Sequence, residues 1–190
     1  MTVYGYGDSL MWGWDPRIGA GDNRLREDEI WFERLSSVYG FTVINDSLPG
    51  RKIPGKRPLK QFLSAVSGKD WQVLFLMLGT NDILDNTSLP FTKIGRKWDV
   101  ALSALVDMYP DRKDRIVLST CPYAPIFGLT DTLARLRKGY REAAELAGVR
   151  FFDALDPLPT LYDAIHLSEE GHRMLAERVA DYLRNTFGKE

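Results

Sequence analysis

Short apolar runs alternate along this chain with stretches of helical periodicity. Thr2–Gly7 (TVYGYG) reads as a first buried strand. Ile30, Trp31, Leu35 and Val38 recur on one face and predict a helix over Leu25–Tyr39. Phe41–Asn45 is β-branched and aromatic and predicts a second strand. A short helix over Leu59–Val66 follows. Gln72–Leu78 (QVLFLML) is a continuous apolar run, the pattern of a central parallel strand covered on both faces. Trp98, Ala101, Leu102 and Leu105 predict a helix from about Ile94 to Tyr109, stopped by Pro110. Arg115–Thr120 is a fourth strand. A helix over Asp131–Ala147 ends at Gly148 as C-cap, and Val149–Asp153 is a fifth strand. Ser168 opens a last helix whose apolar stripe is Leu175, Val179, Tyr182 and Leu183.

Five strands with helices between them imply an α/β sandwich around a parallel sheet. There is no repeat, low-complexity tract or linker, so residues 1–190 read as one domain. In such sheets chemistry collects at the carboxyl ends of the strands. Those ends carry Gly7-Asp8-Ser9-Leu10, Pro49-Gly50, Gly79-Thr80-Asn81-Asp82, Thr120-Cys121-Pro122 and Asp163-Ala164-Ile165-His166. A serine, a glycine, an asparagine and an Asp–His pair thus converge on one edge. A serine hydroxyl needs a base to take its proton, and the base needs an orienting acid. His166 and Asp163 can supply both from one tight turn. The Ser9 and Gly50 backbone N–H groups and the Asn81 amide are candidate donors to a tetrahedral oxyanion.

These four blocks resemble those of the SGNH hydrolase (GDSL esterase/lipase) superfamily, in order and spread over residues 7–166. The resemblance implies a flavodoxin-like three-layer α/β/α sandwich with a five-stranded parallel sheet. It implies a Ser9–His166–Asp163 triad, an oxyanion hole from Ser9, Gly50 and Asn81, no metal and no cofactor. Gly7–Trp14 (GDSLMWGW), Ile30-Trp31 and Met77–Asp82 (MLGTND) look like the arylesterase and acyltransferase branch, which acts on short acyl esters. The expected partner is therefore a small-molecule ester. Acyl transfer and carbohydrate deacetylation use the same triad, and a non-catalytic ligand-binding domain is the reading from another class. Related arylesterases assemble into oligomers, so a homo-oligomer is an open expectation.

Other residues carry plainer readings. A serine at position 9 taken by itself is a turn or N-cap residue. Asp8 and Asp82 read as loop braces. Asp153 and Asp156 are rival orienters for the histidine but sit in a Pro-rich turn. His172, in the first turn of the last helix, reads as a solvated or capping histidine. Trp14 is the candidate wall of an acyl or alcohol pocket, against ordinary packing after the strand. Arg51, Lys52, Lys56, Arg57 and Lys60 form a basic run after Gly50 and read as a solvated loop. Gly5–Leu10 imitates the start of a dinucleotide fingerprint but has leucine for the third glycine. No serine sits in a Gly-x-Ser-x-Gly elbow.

Composition narrows the field further. Hydrophobic residues make up 44%, as in an ordinary globular chain, so disorder and coiled-coil classes are excluded. The net charge of −1 gives no pull toward nucleic acid or an anionic membrane. The lone Cys121 permits no internal disulfide, and with two histidines it excludes a structural zinc site of usual composition. No leader-like segment opens the chain, and no apolar run is long enough to span a bilayer. The cytoplasm is the expected location.

Overall fold

The computed structural model describes residues 1–18, 23–85, 90–125 and 130–188. Five strands, β1 (Thr2–Gly7), β2 (Thr42–Ser47), β3 (Val73–Met77), β4 (Ile116–Ser119) and β5 (Arg150–Phe152), form one parallel sheet in the order β2-β1-β3-β4-β5. Their last residues share one register row: Ser47, Gly7, Met77, Ser119 and Phe152. All five strands therefore hand their chains to the same edge.

The continuous apolar run of β3 divides by alternation. Leu74 and Leu76 enter one core with Tyr4, Tyr6, Ile116 and Leu118. Helices α3 (Leu59–Ser67), α6 (Asp99–Met108) and α7 (Thr130–Ala147) cover that face through Phe62, Trp98, Leu102 and Tyr140. Val73, Phe75 and Met77 enter the other core with Val3 and Val117. Helices α2 (Trp31–Ser37) and α8 (Glu169–Phe187) cover it through Trp31, Phe32, Leu175 and Val179. This is the α/β sandwich around a parallel sheet that the pattern predicts, in the three layers that the resemblance implies.

Two of the expected helices need correction. The helix foreseen over Leu25–Tyr39 is only α2. Before it the chain pairs backward, with Leu25 N–H donating to the Gly13 carbonyl and Arg24 bridging to Trp14. At its other end α2 stops at Ser37, so Val38 is 53% exposed rather than on the buried face. The helix foreseen over Ile94–Tyr109 is two, α5 (Phe91–Arg96) and α6. The break lets α5 press against α7, where a Cβ on Gly95 would strike the Gly139 backbone and a Cβ on Gly139 would strike the Thr92 backbone. Two short helices were not foreseen, α1 (Ser9–Trp12) and α4 (Thr80–Asp85), one after β1 and one after β3.

His172 is neither solvated nor a cap of its own helix. It is buried, and its Nδ1 accepts the backbone N–H of Trp31 at 3.2 Å, capping α2 from α8. Among the described residues no helix is long and apolar enough to cross a membrane.

Burial, with His166 nearby, pushes the His172 imidazole down to about 3. Unfolded, it would protonate near its ordinary value of about 6.5. Below that pH the unfolded chain takes up a proton that the folded chain refuses. Stability is therefore complete above pH 6.5 and falls toward pH 3 by up to about 1.4 kcal/mol per pH unit. His172→Gln should flatten the fall in Tm between pH 6 and pH 4. An unchanged acid slope in that variant would remove His172 as its source.

Candidate active site

The turn after β1 sets the site. Asp8 is the N-cap of α1, its Oδ1 accepting Leu10 N–H at 3.0 Å, and Gly13 closes the helix. Ser9 is therefore the first helical residue, not the cap, and its hydroxyl is released from capping. It meets His166 Nε2 at 3.0 Å. His166 Nδ1 lies 2.5 Å from Asp163 Oδ2. The structure thus brings Ser9, His166 and Asp163 into one hydrogen-bonded line.

The turn carrying Asp163 and His166 is held locally. Asp163 Oδ1 accepts both the Ile165 and the His166 backbone N–H groups at 3.0 Å. Ala164 adopts φ +56, left-handed backbone that costs a non-glycine residue about 1–3 kcal/mol. That conformation lets side chains three apart lie on one side of the turn. Burial opposes ionisation of Asp163, but the bond from His166 and the two N–H donors outweigh it and hold the carboxyl below its ordinary value. Asp163 is thus an anion facing the Nδ1–H of His166.

The rival orienters face elsewhere. Asp153 pairs with Arg137 and accepts Leu155 N–H, and Asp156 pairs with Arg178 at 3.0 Å. Trp14 does reach the site: its ring centroid is 6.4 Å from that of His166, with Trp12 a further 6.0 Å beyond it. Cys121 is buried, and desolvation pushes its thiol up to about 12, so it is an inert packed group.

Asn81 lies in the first turn of α4, immediately after β3. Its Nδ2 donates to the Arg51 carbonyl at 3.1 Å and lies 3.5 Å from Asp8 Oδ2. Asn81 and the Ser9 turn are therefore neighbours. Gly50 takes φ +76 in the turn after β2, where an added Cβ would meet nothing. Backbone conformation, not crowding, is what asks for glycine there. Asp82 braces the same loop, accepting Ile53 N–H at 3.0 Å and pairing with Lys97.

The basic run after Gly50 is not uniformly solvated. Arg51 is largely buried and bonded to Asp46, and Lys52 pairs with Asp85. Lys56, Arg57 and Lys60 are exposed, as expected. Arg51, Asp46 and Tyr4 meet only once β1 and β2 are paired, so no local pattern in the sequence singles them out. The only local signal was an arginine directly after the glycine. A groove of about 620 Å³ opens beside Gly50, walled by Tyr6, Leu48, Ile53 and Pro54.

Comparison with known proteins agrees with this architecture. The model of the GDSL-like lipase/acylhydrolase family matches residues 6–174. Among solved structures, Est24, a carbohydrate acetylesterase from Sinorhizobium meliloti, is 22% identical with a TM-score of 0.79 over 98% of this chain and 99% of that one. The native aryl esterase of M. smegmatis is 24% identical with a TM-score of 0.76 over the same shares. A lipase/acylhydrolase from Enterococcus faecalis is 18% identical with a TM-score of 0.70, over 97% and 95%. These identities speak for the fold. No curated protein is similar enough in sequence to count as a relative.

Burial pushes Asp8 up to about 7, against the Leu10 N–H that favours its anion, and Asp82 nearby pushes the same way as burial. Its folded value lies above the ordinary 3.8. Its contribution to stability is therefore complete below pH 3.8 and lost as pH rises through 7. Asp8→Asn keeps an oxygen for Leu10 without the charge. It should raise Tm over wild type at pH 8 and give no gain at pH 4. A Tm difference equal at both pH values would contradict this.

Proposed function

The chain belongs to the GDSL-like lipase/acylhydrolase family and is a carboxylic ester hydrolase, and from that premise we propose that it cleaves small acyl esters with Ser9 as nucleophile. The observation that carries the reading is the unbroken line from Ser9 Oγ through His166 to Asp163, at 3.0 and 2.5 Å.

In this reading His166 Nε2 takes the Ser9 proton as Oγ attacks the ester carbonyl. Asp163 holds the imidazole in the tautomer that accepts at Nε2 and stabilises the imidazolium that forms. The negative charge moves onto the carbonyl oxygen. The Ser9 N–H at the start of α1, the Gly50 N–H and the Asn81 amide receive it. His166 then gives its proton to the departing alkoxide, leaving the acyl group on Ser9. A water deprotonated by His166 attacks the acyl-enzyme, and the acid leaves as Ser9 recovers its proton.

The preference for small acyl groups rests on Trp14, whose ring centroid lies 6.4 Å from that of His166. The structural neighbours include a carbohydrate acetylesterase and an aryl esterase, which supports the same reading. The groove beside Gly50 would take the rest of the ester.

A chromogenic ester series from acetyl to octanoyl, hydrolysed by wild type and Ser9→Ala in parallel, tests the reading. Wild-type kcat/KM should be highest at acetyl and fall with chain length. Ser9→Ala should lose at least about 10³-fold in kcat with Tm unchanged. Activity retained by Ser9→Ala would remove the serine, and a maximum at octanoyl would remove the small-acyl preference. Asn81→Ala should lower kcat by about 10²–10³ with little change in KM. A KM effect alone would reassign Asn81 to substrate binding.

A further inference from the structure

Two of the three candidate oxyanion donors converge on one residue that the reaction itself does not use. Arg51 follows Gly50 directly in the chain, and its carbonyl receives the Asn81 amide at 3.1 Å. Its side chain turns back to the sheet edge. Nη1 donates to the Asp46 carbonyl and, at 3.3 Å, to the carbonyl of Gly7, two residues before Ser9. Nη2 donates to Asp46 Oδ1 at 2.8 Å. The guanidinium also lies 4.0 Å over the Tyr6 ring. Only 13% of the side chain is exposed.

The acceptor is itself fixed. Tyr4 Oη donates to Asp46 Oδ2 at 2.5 Å from the adjacent strand. Burial, and then Asp46 beside it, hold that phenol well above its ordinary value, so it stays a donor. Asp46 thus offers one oxygen to Tyr4 and the other to Arg51. One residue beyond Lys52, Ile53 N–H is tied to Asp82. The loop bearing Gly50 is anchored at three points within three residues, and two of them belong to Arg51.

We infer that Arg51 is a positioning residue of the oxyanion hole, its planar guanidinium pinning the Gly50 loop to the ends of β1 and β2 so that the Gly50 N–H and the Asn81 amide keep fixed directions toward the carbonyl above Ser9. The inference rests on the proposed roles of Gly50 and Asn81. A donor that must swing into place as charge develops loses much of its value, because preorganisation is what such groups contribute. Lysine is not equivalent to this arginine: its ammonium donates from a single point on a flexible stem, whereas the rigid guanidinium serves two carbonyls from Nη1 and the carboxylate from Nη2.

The test compares Arg51→Lys, Asp46→Asn and Asn81→Ala, singly and with Arg51→Lys combined with Asn81→Ala. The readouts are kcat and KM on an acetyl ester, the rate of Ser9 labelling by a fluorophosphonate, and Tm. Arg51→Lys should lower kcat and labelling rate by about 10-fold or more while KM moves less than about 3-fold. Asp46→Asn, which weakens the same fork while leaving Arg51 in place, should move kcat and labelling in the same direction by less. Once Asn81 is gone, Arg51→Lys should cost less than it does in wild type, since one of the donors it positions is already absent. A purely structural arginine would lower Tm but leave kcat of the folded enzyme intact. Wild-type kcat in Arg51→Lys, or full additivity with Asn81→Ala, overturns the inference while the oxyanion reading stands. Wild-type kcat in Asn81→Ala overturns that reading and this inference with it.

Discussion

Everything at the site depends on five strands ending in one row. Ser47, Gly7, Met77, Ser119 and Phe152 lie side by side across the sheet, each the last residue of its strand. Parallel pairing brings this about, because every strand must run the same way and return through a covering helix. The pairing is secured by burial on both faces, with alternate residues of β3 in the two cores. Shifting one strand by a single residue would exchange its core assignments and displace the group that follows it.

From that row the chain needs few residues to deliver each group. Ser9 stands two residues beyond Gly7, Gly50 three beyond Ser47, and Asn81 four beyond Met77. β1 and β3 are adjacent although β2 lies between them in sequence. The chain leaves β1 toward one edge of the sheet and returns on the other side, which opens the crevice where Ser9 and Asn81 meet. His166 comes from farther, on the long passage between β5 and α8. Its position is set within its own turn, by the Asx contacts of Asp163 and the left-handed Ala164. Rigid strand ends on one side and a self-bracing turn on the other make the line from Ser9 to Asp163.

The polar groups beneath this surface bear its cost. Asp8 caps the helix that begins with Ser9, and its burial favours the protonated form. Asp82 is equally buried but has Lys97 and the Ile53 N–H as partners. The two carboxylates thus occupy similar depth with different compensation: Asp82 faces a cation, whereas Asp8, next to Ser9, faces the Leu10 N–H and the Asn81 amide. His172 shows the same physics with opposite charge: it serves α2 as a neutral acceptor and resists the proton that would end that role.

The chain alone specified the strands, the order of the four blocks and the three residues, Ser9, His166 and Asp163, that form the hydrogen-bonded line. Those features are local: an apolar run, a short tetrapeptide after it, and a three-residue spacing within one turn. It also specified that Ser9 follows a residue able to cap a helix, although the helix itself went unread because four residues carry no periodicity. Only the tertiary structure distinguished His166 from His172 by contact, since one imidazole meets a hydroxyl and the other a backbone N–H 141 positions away. Only the tertiary structure separated Arg51 from the exposed lysines around it. A run of like charges reads as solvated until an acceptor is known, and Asp46 and the Gly7 carbonyl become acceptors only when β1 and β2 lie side by side.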